Sequence, residues 1–114
     1  MSRLPLCLLA LMLPSAAMAH AMLEHAQPSA GAQMRTAPSQ LRLDFSEPLE
    51  PAFSGVNVTD SANRSVTSGT PAISGTAMTI ALKAIPPGEY RVQWHAVSVD
   101  THRTEGSYSF TVRP

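Results

Sequence analysis

Apolar and polar positions alternate along several short stretches of the chain. Leu41, Leu43 and Phe45, for example, are separated by Arg42 and Asp44. Because successive side chains of a β-strand point to opposite faces, this alternation predicts a strand with one buried and one exposed face. From residue 20 onward, no apolar pattern keeps the 3.6-residue period of a helix over three turns. We therefore expect helices to be a minor part of the fold.

The same alternation recurs over residues 90–95 and 108–113. The inward positions predicted there are Tyr90, Val92, Trp94, Tyr108, Phe110 and Val112. The candidate strands are Ala21–Ala26, Gln40–Phe45, Ser54–Thr59, Met78–Lys83, Glu89–Val99 and Ser107–Val112, with a less marked one near Ser65–Ser68. The pattern thus predicts six or seven short strands, several of which have an aromatic or branched inward face.

Turn-forming residues separate these stretches, as in Pro28-Ser29-Ala30-Gly31 and Pro86-Pro87-Gly88. Such residues favour turns and resist the hydrogen-bond ladder of a sheet. Two antiparallel sheets packed face to face, as a sandwich or a closed Greek-key barrel, are the usual arrangement for many short strands with frequent turns. We expect an all-β fold with a single domain over residues 20–114.

Residues 1–19 differ from the rest of the chain. Arg3 is followed by the apolar run Leu6–Leu13 and by the small-x-small sequence Ala17-Met18-Ala19. This order is typical of a secretory signal peptide that is cleaved directly before His20. A transmembrane helix is the alternative, but the apolar run is far shorter than the roughly 20 residues that a bilayer needs. We expect a mature chain that begins at His20, enters the periplasm and is not inserted in a membrane.

Composition narrows the classes of function. The 114 residues carry eight Lys and Arg against eight Asp and Glu, and one cysteine. Without a basic excess, the electrostatic attraction that drives nucleic-acid binding is missing, so DNA and RNA are poor partners. The cysteine, Cys7, lies at the start of the apolar run of the leader, a position that does not fit a lipid anchor. The mature domain has no disulfide, and its stability must come from an apolar core.

The histidines are the main candidates for chemistry: His20, His25, His95 and His102. Cleavage before His20 would leave an α-amine and a ring Nδ1 that can chelate one ion. Nitrogen-rich, tetragonal coordination suits Cu(II), with zinc as a competitor. Alternatively, His20 is simply the first residue on a frayed terminus. His25 is expected on the face of the first strand opposite to that of His20. His95 either forms a hydrogen bond near a metal site or is only exposed on the sheet surface.

Asp100 and His102 are candidates for the second half of a metal site. Residues two apart on an extended segment project from the same face, about 6–7 Å apart along the chain. Both side chains could then reach one ion. The alternative is a surface turn in which Asp100 caps the backbone. The spacing is too common to identify a site unless a partner such as His20 lies nearby.

Several stretches of this sequence also follow the order of a known family. They are Leu43-Asp44-Phe45-Ser46-Glu47-Pro48, Phe53-Ser54-Gly55-Val56, Pro87-Gly88-Glu89-Tyr90-Arg91-Val92-Gln93-Trp94, Val97-Ser98-Val99-Asp100-Thr101-His102 and Gly106-Ser107-Tyr108-Ser109-Phe110-Thr111-Val112. With a signal peptide that ends directly before histidine, the chain resembles the CopC family of periplasmic copper-resistance and copper-trafficking proteins over nearly all of residues 20–114.

The resemblance implies a seven-stranded Greek-key β-barrel or sandwich with immunoglobulin-like (cupredoxin-like) topology. It implies one Cu(II) per chain in an N-terminal histidine brace, formed by the amine and ring of His20 and the ring of His102, with Asp100 completing the site. Glu47 would lie near the metal as a weak ligand or hydrogen-bond partner. Some members also bind Cu(I) in a methionine-rich loop with a histidine. Residues 57–69, at that place, contain neither Met nor His, so we expect the single-site kind.

These inferences favour a copper(II)-binding protein that is not an enzyme. The resemblance also implies a CopD-type inner-membrane copper transport protein as partner. Two other functions stay open: a small oxidative copper enzyme of the histidine-brace type, like the lytic polysaccharide monooxygenases, and a metal-free periplasmic interaction module. With one Trp, two Tyr and three Phe, most of them expected in the core, the chain has few aromatic residues for a carbohydrate-binding face.

Overall fold

The computed structural model describes residues 20–114, so the predicted signal peptide lies outside the described residues. They form eight β-strands and one three-residue 3-10 helix, Pro51–Phe53. The strands are β1 (Leu23–Gln27), β2 (Gln33–Met34), β3 (Gln40–Phe45), β4 (Gly55–Thr59), β5 (Thr67–Ser74), β6 (Ala77–Leu82), β7 (Gly88–Val97) and β8 (Arg103–Val112). Within these residues, no helix has the length and apolar character needed to cross a membrane.

The strands form two sheets of four. Their orders are β1-β3-β6-β5 in the first sheet and β2-β8-β7-β4 in the second. All neighbours are antiparallel except β2 and β8. The predicted Greek-key β-sandwich is confirmed, and the count of seven strands is reached when the two-residue β2 is set aside.

The core lies between the two sheets, as the alternation of apolar and polar residues predicted. Its buried members are Ala21, Leu41, Leu43, Phe45, Leu49, Val58, Val66, Met78, Ile80, Leu82, Ile85, Tyr90, Val92, Ala96, Phe110 and Val112. Trp94 packs against this cluster, edge-on to Phe45 at a ring-centroid distance of 5.2 Å. The residue opposite Trp94 in β8 is Gly106. A Cβ atom there would lie 2.6 Å from the indole Cζ2 atom, so the large ring fits because position 106 has no side chain.

Three predicted strands were wrong in extent. The strand expected near Ser65–Ser68 is β5, which continues to Ser74 through Gly69 and Pro71. It is an edge strand, and its pairing with β6 is interrupted between Ser68 and Ala72, which is how it accommodates proline. The last strand begins at Arg103 rather than at Ser107, because it pairs with β7 back to Val97. The preceding strand ends at Val97 rather than Val99.

One end of the sandwich collects the segments that matter for the predicted metal site. Strand register brings together the first residues of β1, β4, β6 and β8 and the last residues of β3, β5 and β7. The backbone N–H of Glu50 donates to Val97, and that of Leu49 to Gly75, which joins the two sheets there. We call this the His20 end, and we call the other the opposite end.

Candidate metal centre

His20 and His102 meet at the His20 end. Their imidazole centroids are 4.7 Å apart, with the ring planes tilted by 45°. His20 precedes β1, and His102 directly precedes β8. The structure therefore brings together the two residues that the sequence proposed as the two halves of one site.

Ser46 holds the segment that carries His20 against the first sheet. Its Oγ accepts a hydrogen bond from the Met22 backbone N–H at 2.8 Å and donates to the carbonyl of His20 at 3.4 Å. Its own backbone N–H donates to the carbonyl of Met22 at 2.9 Å. Ser46 follows directly after β3, so the end of that strand fixes the backbone around His20.

A second contact holds the same segment against the second sheet. The Thr104 hydroxyl donates to the carbonyl of Ala21 at 2.7 Å, and Ala21 is fully buried. Thr104 is the second residue of β8, two positions after His102. Residues 20–22 are therefore held to both sheets by hydrogen bonds of their backbone.

Asp100 and His102 lie in a turn, so the assumption of an extended segment was wrong. The Thr101 N–H donates to the carbonyl of Ser98 at 2.7 Å, and that of Ser98 to the carbonyl of His102 at 3.0 Å. Thr101 has a φ of 75°, which an extended strand does not allow. The turn still brings the two side chains together: Asp100 Oδ2 lies 3.3 Å from His102 Nδ1.

Asp100 is held as a carboxylate by its neighbours. The Ser98 hydroxyl donates to Asp100 Oδ1 and lowers the pKa of Asp100; desolvation opposes this, and His102 lowers the pKa further. Ser98 itself is 1% exposed. A carboxylate at Nδ1 orients the imidazole of His102 and leaves its Nε2 atom for a metal ion. In this arrangement Asp100 orients His102, and an ion at Nε2 would lie on the other side of the ring.

The remaining candidate residues, His95, His25 and Glu47, are not part of the His20–His102 contact. The His95 ring packs over Gly55 on the outer face of the second sheet, where a Cβ at position 55 would lie 3.0 Å from its Cε1 atom. Partial burial lowers the pKa of His95, and Arg103 adds to this while Glu105 opposes it. None of the hydrogen bonds that position His20 or His102 involves His95 or the exposed His25. Glu47 is half-buried directly after Ser46.

In residues 20–114, no three His, Cys, Asp or Glu side chains are grouped closely enough to hold a metal ion by themselves. The predicted ligand side chains of His20, Asp100 and His102 thus do not form such a group. The predicted histidine brace has one further donor, the main-chain amine of His20. In the full-length chain that nitrogen is part of the peptide bond with Ala19, so cleavage would be needed to create the donor.

A CopC domain is matched by residues 23–113. The chain belongs to the CopC family. Protein YobA of Escherichia coli (strain K12) is 40% identical over 100 residues, which cover 83% of this chain and 80% of that protein. Copper resistance protein C of Escherichia coli is 36% identical over 107 residues, covering 85% and 84%. The solved structure of CopC from Methylosinus trichosporium OB3b has a TM-score of 0.74 at 33% identity, covering 83% and 95%.

Two anchors of this CopC-family site were not predicted from the sequence. Ser46 lies within one of the family stretches, but nothing in its identity indicated that it holds the backbone of residues 20–22. Thr104 lies outside every stretch singled out, and its partner is 83 positions away. A threonine at the second position of a strand carries no signal for such a contact.

Proposed function

We propose that this CopC-family protein binds one Cu(II) ion per chain in the periplasm and sequesters or carries it for copper resistance or homeostasis. The ion would be held, after removal of residues 1–19, by the amine and ring of His20 and the ring of His102, with Asp100 completing or orienting the set. The observation that carries the proposal is the 4.7 Å approach of the His20 and His102 rings.

The donor types support Cu(II) over other cations. Three nitrogens and a carboxylate suit tetragonal Cu(II), which also stands at the top of the affinity order of divalent first-row metals. Cu(I) prefers thioether and thiolate sulfur. Of the methionines in residues 20–114, Met78 is buried and Met34 packs against the core, which leaves Met22 as the exposed one. The donors thus favour a single Cu(II) site.

We propose binding rather than catalysis. An oxidative copper enzyme of the histidine-brace type needs an open face for its substrate, and aromatic side chains usually build it. Within residues 20–114, the aromatic residues pack in or against the core except Phe53, which is 63% exposed. One exposed ring is too little for a carbohydrate platform, which also argues against the oxidative alternative.

Export and a membrane partner complete the proposal. The amine donor requires that a peptidase remove residues 1–19, which secretion through a cleavable signal provides. Copper that moves between the periplasm and the cytoplasm must cross the inner membrane, so we propose a CopD-type copper transport protein as exchange partner. The resemblance to the CopC family supports this partner.

The test is a Cu(II) titration of the chain that begins at His20, followed by electron paramagnetic resonance and by quenching of Trp94, the one tryptophan. We expect one tight equivalent with nitrogen-rich tetragonal parameters. His20→Ala and His102→Ala should each abolish it. His25→Ala is the matched control, because His25 is an exposed histidine of β1, the strand that follows the His20 segment.

Two results would reject the proposal. The first is tight binding that is indifferent to both substitutions, which would place the site elsewhere. The second is no tight binding by a correctly folded chain, which would favour the metal-free interaction module. Folding is checked by the circular dichroism of each variant.

A further inference from the structure

Charged side chains in residues 20–114 are divided unequally between the two ends of the sandwich. Three arginines are paired with carboxylates, in Arg42–Asp44, Arg64–Asp60 and Arg103–Glu105. Within residues 20–114, the Lys and Arg residues outside these pairs are Arg35, Lys83, Arg91 and Arg113. Strand register places all of them at or toward the opposite end, beside the last residues of β2, β6 and β8 and the first half of β7.

The carboxylates outside those arginine pairs show the reverse distribution. Glu89 lies at the opposite end, and four others lie at the His20 end: Glu24, Glu47, Glu50 and Asp100. Glu24 is the second residue of β1, Glu47 and Glu50 lie between β3 and β4, and Asp100 lies in the turn before β8. Asp100 is engaged by Ser98 and His102, so Glu24, Glu47 and Glu50 make the surface of the His20 end acidic, and the opposite end is basic.

The large apolar side chains that are exposed also gather at the His20 end. In residues 20–114 they are Met22, Phe53 and Val99, with 58%, 63% and 55% of their surface accessible. Met22 is bound to Ser46 beside His20. The N–H of Phe53 donates to Glu50, and that of Val99 donates to Pro48. Each of the three thus lies on a segment that borders the metal centre.

Single exposed apolar residues are normal on a protein surface, but a cluster at one place usually has a partner. Protein interfaces combine an apolar centre with a polar rim, and charge complementarity selects and orients the partner. We propose, on the basis of the proposed copper function, that the His20 end is a docking surface for a copper-exchanging protein. The partner's face would have an apolar centre surrounded by Lys and Arg.

The charge distribution argues against two other occupants. Two copies that meet through their His20 ends would bring like charges together, which costs free energy at short distance. A surface of anionic lipid headgroups would be repelled by the same carboxylates and attracted to the opposite end. A basic protein face is the occupant that both the apolar and the acidic residues fit.

The test measures Cu(II) transfer from the loaded chain, residues 20–114, which contain both sheets and the core. The acceptors are synthetic peptides that share one N-terminal Cu(II)-chelating tripeptide and differ in a tail of Leu with Lys, Leu with Glu, or Ser with Lys. Recovery of Trp94 fluorescence reports the transfer. At low salt we expect Cu(II) transfer to the Leu–Lys peptide to be about tenfold faster than transfer to the Leu–Glu peptide. The difference in rate should shrink as added salt shortens the Debye length.

Variants separate the contributions of charge and apolar contact. Glu24→Gln with Glu50→Gln should slow transfer to the Leu–Lys peptide, whereas Glu89→Gln, the matched control at the opposite end, should not. The Leu–Lys peptide should take up Cu(II) faster than the Ser–Lys peptide from the wild-type chain. Phe53→Ser with Val99→Ser should reduce this difference in transfer rate. Equilibrium Cu(II) affinity should be unchanged in all of them, because none of these side chains is a proposed ligand.

Several results would overturn the docking surface. These are equal rates for the Leu–Lys and Leu–Glu peptides at low salt, equal slowing by Glu89→Gln, or self-association in sedimentation that Phe53→Ser abolishes. Binding to phosphatidylglycerol vesicles through the same residues would assign the surface to a membrane instead. Failure of the copper proposal is seen separately, as absent Cu(II) binding in the titration. In that case, nuclear magnetic resonance shifts on adding copper-free peptide still test the docking surface.

Discussion

Thr104 and Ala21 are joined by a 2.7 Å hydrogen bond across 83 positions of the chain. The carbonyl of Ala21 is buried, where an acceptor without a donor is costly. The bond ties the residue after His20 to β8, the strand that starts next to His102. The relative placement of the two imidazoles therefore depends on a contact between the N-terminal segment and the second sheet.

Replacing Thr104 by Val should weaken both the fold and the metal site. The variant keeps the shape of the side chain but leaves the Ala21 carbonyl without its donor, which costs about 1–3 kcal/mol of unfolding free energy. Cu(II) affinity should fall by about tenfold or more, as when residues that orient ligands are removed. Denaturant unfolding and competition titration measure the two effects. Thr104→Ser retains the hydroxyl and should be close to wild type; if it is as weak as Thr104→Val, the hydrogen bond is not the cause.

Adding one residue before His20 should weaken Cu(II) binding by orders of magnitude. The addition converts the proposed amine ligand into an amide and leaves every side chain in place. Chains that begin at Ala19 and at His20 are compared by competition with a chelator of known affinity. Equal affinities would show that the amine is not a ligand and that the brace is incorrect.

Cu(II) affinity should decrease as the pH is lowered from about 8 to about 5, because protons compete for the amine and both imidazoles. Titrations at several pH values, followed by electron paramagnetic resonance, measure the slope. His25→Ala should leave the slope unchanged. An affinity independent of pH over this range would count against nitrogen ligation.

Because of Asp60, the free energy of unfolding should depend on pH in the acid range. The backbone N–H of Arg64 donates to its carboxylate and lowers the pKa of Asp60, assisted by Ala62 N–H and the Arg64 side chain. Because the pKa is lower in the folded state, the stabilisation is complete above the ordinary value of 3.8 and is lost as the pH falls through the folded value. Asp60→Asn should therefore be less stable than wild type at neutral pH, and the difference should shrink below 3.8. A constant difference down to acid pH would contradict this linkage.

Gly106→Ala should destabilise the fold by about 1–3 kcal/mol, as expected for overpacking of a core. The added methyl would lie 2.6 Å from Trp94 Cζ2, and the indole would have to shift against Phe45. Thermal unfolding and the emission maximum of Trp94 report the two changes. Ser107→Ala, at the exposed neighbouring position, serves as the control and should have little effect. Wild-type stability of Gly106→Ala would mean that the ring can move freely.

Much of the fold could be predicted from local pattern. The alternation at Leu41, Leu43 and Phe45 identified buried positions without further information, because a two-residue period has one physical meaning in a strand. Strand ends were predicted less well. Pro71 and Gly69 argue against a strand by propensity, and β5 exists because it completes the edge of a sheet whose partner, β6, lies later in the chain.

The sequence by itself determined the β-sandwich, the inward faces of its strands, its family and the identity of the residues proposed to bind copper. It did so because periodicity, turn chemistry and family stretches are all local in the chain. Only the tertiary structure decided that His20 and His102 meet, that residues 98–102 form a turn, and that Ser46 and Thr104 anchor the first residues of the domain. The same holds for the acidic and apolar character of the His20 end. Each of these depends on the packing of two sheets, which brings together residues that no local pattern connects.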